Sequence, residues 1–212
     1  PDTVARAVAG ADAVVNLVGV MGGKLQAIHV DGARNVAVAA AASGVGSLVH
    51  ISAIGADPDS PSVYARTKGE GEAAVLTAFP NATILRPSVV FGPEDEFVNR
   101  FAQMIARLPI VPVLKPETRF QPVFAADVAD AVAAALATPA AHAGRTYDLG
   151  GPDVFGMMVL QRWIADAIGR RPEFVALPDF VGAGLARAGF LPGAPITWDQ
   201  WLMLGRDNVV TG

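Results

Sequence analysis

Tyr64 and Lys68 stand four residues apart in the run Tyr64-Ala65-Arg66-Thr67-Lys68. On a helix that spacing puts both side chains on one face, one turn from each other. An ammonium there lowers the cost of a phenolate, which would let Tyr64 act as a general acid or base near neutral pH. Lys68 could also hold a ribose hydroxyl. A Tyr and a Lys that merely share a solvated face have the same spacing, so only its place in the chain can give the pair weight. Other chemistry is thinly spread. His29, His50 and His142 lack the spacing of metal ligands, so no metal site is expected. The absence of cysteine excludes disulfides, thiolate metal sites and a cysteine nucleophile. Glu94-Asp95-Glu96 is a carboxylate cluster where a loop meets a helix, a place where acids favour the helix dipole.

A tyrosine–lysine pair of this kind needs a helix that starts beside the ends of parallel strands, and the surrounding sequence predicts one. Short apolar runs alternate with helix-length segments, the rhythm of βαβ units and a parallel sheet. Strands are expected over Ala13 to Val18, Ser47 to Ile51 and Ala82 to Leu85, with Val123-Phe124 ending a further extended segment. Helices are expected from His29 to Ala42, closed by Gly44, and from Tyr64 to Phe79. A third should start with Asp127 as its cap and stop before Pro139. The pair thus follows, after a polar loop, a strand that ends in Ser52, as a site at the carboxyl edge of a parallel sheet requires. After Gly151 the pattern changes, with a helix over Met157 to Ile168 and a strand at Phe174 to Ala176 among Pro- and Gly-punctuated segments. The expected organisation is an α/β Rossmann-type domain over residues 1–150 and a small C-terminal lobe over 151–212. Trp163, Trp198 and Trp201 fall in that lobe, where they could line a substrate or lipid pocket, although core or interface packing is the simpler role for them.

Composition agrees with a large buried core. Hydrophobic residues make up 52% of the 212 and charged residues only 17%, which excludes a disordered chain. A net charge of −4 without any basic run excludes an electrostatic footprint for nucleic acid. No window holds the ~18 uninterrupted apolar residues of a spanning helix; the richest stretches, at 35–42 and 128–137, owe their hydropathy to alanine. The chain opens at Pro1 with no signal-peptide pattern and reads as the interior of a longer protein.

The order of further motifs is specific. Asn16-Leu17-Val18-Gly19 is followed by the strand ending in Ser52, then by Tyr64-x-x-x-Lys68. Leu85-Arg86-Pro87-Ser88-Val89-Val90-Phe91-Gly92-Pro93 and Asp127-Val128-Ala129 complete the order. Together they resemble the extended short-chain dehydrogenases, over nearly the whole chain. More narrowly, the run at 50–57 followed by Tyr-Ala-Arg-Thr-Lys-Gly-Glu-Gly-Glu is similar to an atypical subgroup. That subgroup contains the nucleotide-binding accessory subunit of respiratory complex I and its bacterial relatives.

The resemblance implies a doubly wound parallel sheet and a nicotinamide dinucleotide, NAD or NADP. It lays Leu17, Val18 and Gly19 along the cofactor, makes Tyr64 and Lys68 the catalytic pair, and puts Pro87, Ser88, Val89 and Val90 beside the nicotinamide. Leu17 and Val18 would also serve as strand core. Read from its own chemistry, Arg86 could be a buried charge pairing with a carboxylate, and it takes no catalytic role.

The sequence departs from the family pattern in three ways. The catalytic hydroxyl position falls on Ala53, one residue past Ser52, and alanine cannot hydrogen-bond a substrate carbonyl. Ser52, or Ser60 and Ser62 on the loop, could substitute. The asparagine that supports the lysine through water in many relatives aligns with His29. No Gly-x-Gly-x-x-Gly follows any strand. Gly44-Val45-Gly46 ends a helix, and Gly22-Gly23-Lys24 has Val18 where a phosphate loop needs its first glycine and Leu25 where it needs Ser or Thr. Two βαβ-type units, on the order of 60 residues, are therefore expected before Pro1, and the choice between NAD and NADP stays open. Both substitutions favour binding over turnover. The expected function is a nucleotide-holding accessory or assembly component among complex I subunits, cytoplasmic or peripheral on the inner face of the respiratory membrane. Its rival is an active oxidoreductase or epimerase using Tyr64, Lys68 and Ser52.

Overall fold

The computed structural model describes residues 2–191 and 193–211. In chain order the first elements are α1 (Asp2–Val8), β1 (Ala13–Asn16) and a π-helical segment (Gln26–Gly32) that runs into α2 (Ala33–Ala42). Then come β2 (Ser47–Ile51), α3 (Val63–Ala78), β3 (Thr83–Pro87), β4 (Val90–Phe91) and α4 (Val98–Arg107). Next are β5 (Ile110–Val113), β6 (Arg119–Phe120), β7 (Val123–Phe124), α5 (Ala125–Ala137), α6 (Pro139–His142) and β8 (Thr146–Leu149). The last are β9 (Phe155–Gly156), α7 (Met157–Ala167), β10 (Glu173–Ala176), α8 (Asp179–Arg187) and α9 (Trp198–Leu204).

These elements form two compact units that do not follow a single cut in the chain. Unit one is Pro1–Pro87 with Ala126–Leu149; unit two is Ser88–Ala125 with Gly150–Gly212. Ser88–Ala125 groups with Gly150–Gly212 and not with the residues on either side of it in the chain. The reason is strand pairing at long range: β5 pairs in parallel with β10, and β6 pairs antiparallel with β9.

Unit one is a Rossmann-type sheet with helices. Its four strands run in the order β1-β2-β3-β8, every pair parallel. Strands buried on both faces read as unbroken apolar runs, and one such layer packs Ala33, Ala37, Leu48, Val75 and Ile84 together. The opposite layer sets Val49 and Leu85 against Ala135 of α5. β1 is shorter than expected. It ends at Asn16, opposite His50, and no ladder continues over Leu17 and Val18. Those two are 68% and 59% exposed, so they are not strand core. Gly44 adopts the left-handed conformation (φ 69°) just past α2. α5 starts two residues before Asp127, which therefore lies in the first turn instead of capping it.

Unit two packs Ile105, Val111, Val113, Met157, Leu160 and Ile164 into one core and Ala186, Ile196 and Trp201 into a second. Of the three tryptophans only Trp201 is buried; Trp163 and Trp198 keep about half their surface exposed. Asp95 accepts the Val98 N–H at 2.6 Å and so closes the start of α4. No helix among the described residues is long and apolar enough to cross a membrane.

A candidate nucleotide site at the carboxyl ends of β1 and β2

Helix α3 brings Tyr64 and Lys68 to the ends of the strands. Ser62 caps it, its Oγ accepting the Ala65 N–H at 3.3 Å, and Ser60 Oγ accepts the Ser62 N–H at 3.2 Å. The two loop serines are thus part of the helix start. The helix lies unusually close to its neighbours because two positions lack a side chain. A β carbon at Gly69 would fall 2.5 Å from Pro58 N, and one at Gly71 would fall 2.2 Å from the His29 carbonyl oxygen.

Lys68 is buried, and its ammonium donates to the Ile51 carbonyl at the end of β2, at 2.9 Å. Burial pulls its pKa down to about 8, against the opposing pull of Glu72 one turn along. Glu72 is itself held by Arg86, whose Nε donates to it at 2.9 Å and whose Nη2 closes a bidentate pair. Arg86 therefore has the carboxylate partner expected of it. Tyr64 behaves differently from the expectation drawn from its spacing. Burial pushes its phenol above the ordinary value, so Tyr64 holds its proton at neutral pH. The lysine charge does not offset that burial, and Nζ is turned to a backbone carbonyl.

Two histidines sit in this cluster, His29, which stands at the position of the family's asparagine, and His50 of β2. His29 Nε2 lies 3.1 Å from the Val20 N–H, which can only donate, so Nε2 is the unprotonated nitrogen. Nδ1 then carries the proton and donates to Thr67 Oγ1 at 2.9 Å, while the Thr67 hydroxyl donates to the Tyr64 carbonyl at 3.1 Å. The ring also meets Tyr64 edge-on, centroids 5.4 Å apart. Burial and the Lys68 charge hold the His29 pKa below the ordinary imidazole value. Asn16 Oδ1 accepts the Val18 N–H at 3.2 Å, which leaves its Nδ2 to donate to His50 Nδ1 at 3.0 Å. His50 is fully buried, and desolvation, then Lys68 and His29, lower its pKa to about 4.

Gly19, just past the end of β1, is exposed. A β carbon at Gly19 would lie 3.7 Å from Lys68 Nζ and 3.8 Å from His29 Nε2, so Gly19 brings bare backbone up to both. Ser52 N–H donates to the Leu85 carbonyl at 2.7 Å and Ile54 N–H to the Pro87 carbonyl at 3.0 Å, carrying the β2–β3 pairing past the strand end. The Ser52 hydroxyl is buried and has no hydrogen-bond partner among the described residues. Ala53 beside it is half-buried. Ser88, Val89 and Val90 belong to unit two, where the Ser88 hydroxyl donates to Asn208 Oδ1 at 2.6 Å and the Val89 N–H reaches the same oxygen at 3.1 Å. Among the described residues no cluster of three or more His, Asp or Glu is arranged to hold a metal ion.

The structure therefore brings Gly19, Ser52, Ala53, Tyr64, Lys68 and Pro87 into one unit and adds Asn16, His29, His50 and Thr67. Asn16 and His50 had a signal in the sequence, each a polar residue inside an apolar strand run. Thr67 had none apart from its neighbours.

A tyrosine and a lysine one helical turn apart beside a parallel Rossmann-type sheet form the arrangement that the resemblance to the extended short-chain dehydrogenases implies. The family model described as the RmlD substrate binding domain matches residues 22–177, and the chain belongs to that family. Subunit 9 of the NADH dehydrogenase [ubiquinone] 1 alpha subcomplex from Arabidopsis thaliana is 35% identical over 87% of this chain and 48% of its own length. The Rattus norvegicus subunit is 34% identical over 92% of the chain and 53% of its own. A ceramide reductase from Caulobacter vibrioides is 31% identical over 92% of the chain and 61% of its own length. The chain spans about half the length of the complex I subunits it matches. Among solved structures, a dTDP-4-dehydrorhamnose reductase from Bacillus anthracis in complex with NADP superposes with a TM-score of 0.71. It is 20% identical and covers 95% of this chain and 82% of that one. A dTDP-glucose 4,6-dehydratase from Streptomyces venezuelae, with NAD and TYD bound, gives 0.69 at 19% identity over 84% and 64%.

Proposed function

We propose that this chain holds a nicotinamide dinucleotide, NAD or NADP, as an accessory or assembly component of respiratory complex I with little turnover. The observation that carries the reading is the approach of side-chain-free Gly19 to the buried Lys68 ammonium at the carboxyl ends of β1 and β2. The residues present fit the ribose–nicotinamide half of such a ligand. Lys68 offers a charged donor, Tyr64 a hydroxyl and Gly19 open backbone, and the buried Ser52 hydroxyl has no partner among the described residues. Val18 and Leu17, exposed past the end of β1, offer apolar surface to a flat ring. The similarity to complex I subunits supports the accessory role and a peripheral position on the inner face of the membrane, among other subunits of the complex.

When bound, the nucleotide supplies hydride chemistry. Tyr64 would hold a proton at its phenol and give it to a developing alkoxide, and Lys68 would bind and orient the ribose. The catalytic hydroxyl is missing at Ala53, and loss of one such donor costs about 10²–10³ in rate. A second reading, an active reductase, is favoured by the similarity to a ceramide reductase and by the protonated Tyr64, with Ser52 taking the place of the missing hydroxyl.

The test uses the full-length protein. Nucleotide released on denaturation should be a single nicotinamide dinucleotide whose redox state is unchanged by incubation with carbonyl or quinone substrates. Robust turnover that disappears in Tyr64→Phe would replace the accessory reading with the reductase. A protein that neither carries nor binds NAD(H) or NADP(H) would end both.

A further inference from the structure

We infer that His29 is a positioning residue that fastens the Gly19–Val20 backbone to helix α3, and that acid releases this fastening and with it the nucleotide. The inference rests on the proposed nucleotide site. Both ring nitrogens are used: Nε2 accepts from Val20 N–H and Nδ1 donates to Thr67, whose hydroxyl in turn reaches the Tyr64 carbonyl. One neutral imidazole therefore joins the segment that must lie against the ligand to the turn of α3 that carries Tyr64 and Lys68. The π-helical geometry of Gln26–Gly32 supplies the placement, since π-type turns inside helices re-aim single side chains and gather at functional sites. Gly71 locks that turn down, because only a residue without a β carbon lets α3 touch the His29 carbonyl.

Neutrality is required, because an imidazolium has no lone pair on Nε2 for the Val20 N–H. The charged and titratable groups around the ring favour the neutral form. Lys68 and Tyr64 face it from α3, and His50 lies near from β2. Glu70 on α3 is taken up by Gln26 and by Arg66, so the neighbouring acid is already engaged. Desolvation and the Lys68 charge both oppose a proton on His29. As pH falls below the ordinary imidazole value, the first proton His29 takes must displace Val20. Lys68 remains charged throughout that range, so loss of binding there is not its doing.

The experiment measures NAD binding to the full-length protein by calorimetry between about pH 7.5 and 5, for wild type, Lys68→Ala, His29→Gln and His29→Phe. Gln can accept from Val20 and donate to Thr67 but does not titrate. We expect wild-type affinity to fall with acid and His29→Gln to bind within a few-fold of wild type with a flat profile. His29→Phe should bind on the order of fivefold to tenfold more weakly at neutral pH, the loss of about one hydrogen bond. Amide exchange at Val20 in the nucleotide-free protein should be slow in wild type and His29→Gln and fast in His29→Phe. If Lys68→Ala weakens binding while both His29 variants keep the wild-type affinity and acid profile, the inference is overturned and the site stands. If Lys68→Ala binds as wild type does, the site itself is wrong. Should His29→Phe not fold, an acid profile shared by wild type and His29→Gln overturns the inference by itself.

Discussion

At the scale of residues, burial decides the chemistry more than spacing does. Lys68 shares a helix face with Tyr64, yet its ammonium is turned to Ile51 and its pKa is lowered to about 8. In the unfolded chain a lysine stays charged until about pH 10.4, so the folded site begins to lose the charge two units earlier. Nucleotide affinity should therefore decline as pH rises through about 8. Lys68→Ala should weaken binding at pH 7 by about 1.5–3 kcal/mol, the contribution of a charged donor, and Tyr64→Phe should weaken it less. Titration calorimetry checks both; equal and negligible losses would mean that the pair does not touch the ligand. His50 makes the opposite end of the pH scale visible. Its pKa is about 4 in the fold against 6.5 unfolded, so between those values the unfolded chain binds the extra proton. Stability should be intact above about pH 6.5 and fall by about 3 kcal/mol as pH drops towards 4. Urea denaturation at a series of pH values would show the decline, and His50→Gln should flatten it. None of this could be read from the residue types: the Tyr-x-x-x-Lys spacing located the helix face but not the desolvation that sets each pKa. The positions of His29 and His50 stand out in the sequence, but their partners, Val20, Thr67 and Asn16, are supplied by the fold.

At the scale of elements, the central strands and helices were legible because their apolar runs are long and end in turn residues. The bounds of β2 matched, and α3 and α7 matched to within one residue at each end. The misses have local causes. β1 stops at Asn16 although the apolar run continues, because Asn16 takes the Val18 N–H with its own side chain. The π-helical segment before α2 was read as helix from His29 onward, since hydrophobic period cannot distinguish a wider turn over seven residues. Close approach is likewise invisible to periodicity. Gly71 sits in a helix, where glycine costs about 1 kcal/mol relative to alanine, so helix propensity by itself would make Gly71→Ala a stabilising change. Its β carbon would instead meet the His29 carbonyl at 2.2 Å, and backbone cannot rotate away. We expect Gly71→Ala to destabilise by about 1–3 kcal/mol, as overpacking does, and to weaken nucleotide binding by moving α3. Gly184→Ala in α8 is the control: nothing lies within 4 Å, and it should stabilise by about 0.4–1 kcal/mol. Thermal melts of the two variants should move in opposite directions.

At the scale of the molecule, the sheet of unit one leaves an open edge. β1 pairs with β2 and with no other strand among the described residues, and its exposure pattern runs from open Ala13 to buried Asn16. An edge strand offers a row of free N–H and C=O groups to any extended segment that meets it, and proteins usually blunt such an edge with charge, proline or a covering element. β1 reads Ala-Val-Val-Asn and carries none of these within its own length, while Leu17, Val18 and Met21 add exposed apolar surface just beyond it. The 212-residue chain produced by itself should therefore self-associate, as oligomers in size-exclusion chromatography that grow with concentration. The test of cause is a single charge on the edge. Ala13 is exposed and lies outside both packed layers of unit one, so Ala13→Lys adds charge without removing core contacts. It should shift the chain towards monomer at unchanged melting temperature, because the change acts on association and not on the fold. A monodisperse, cooperatively melting wild-type chain would show that the β1 edge is already protected, and association unaffected by Ala13→Lys would place the sticky surface elsewhere.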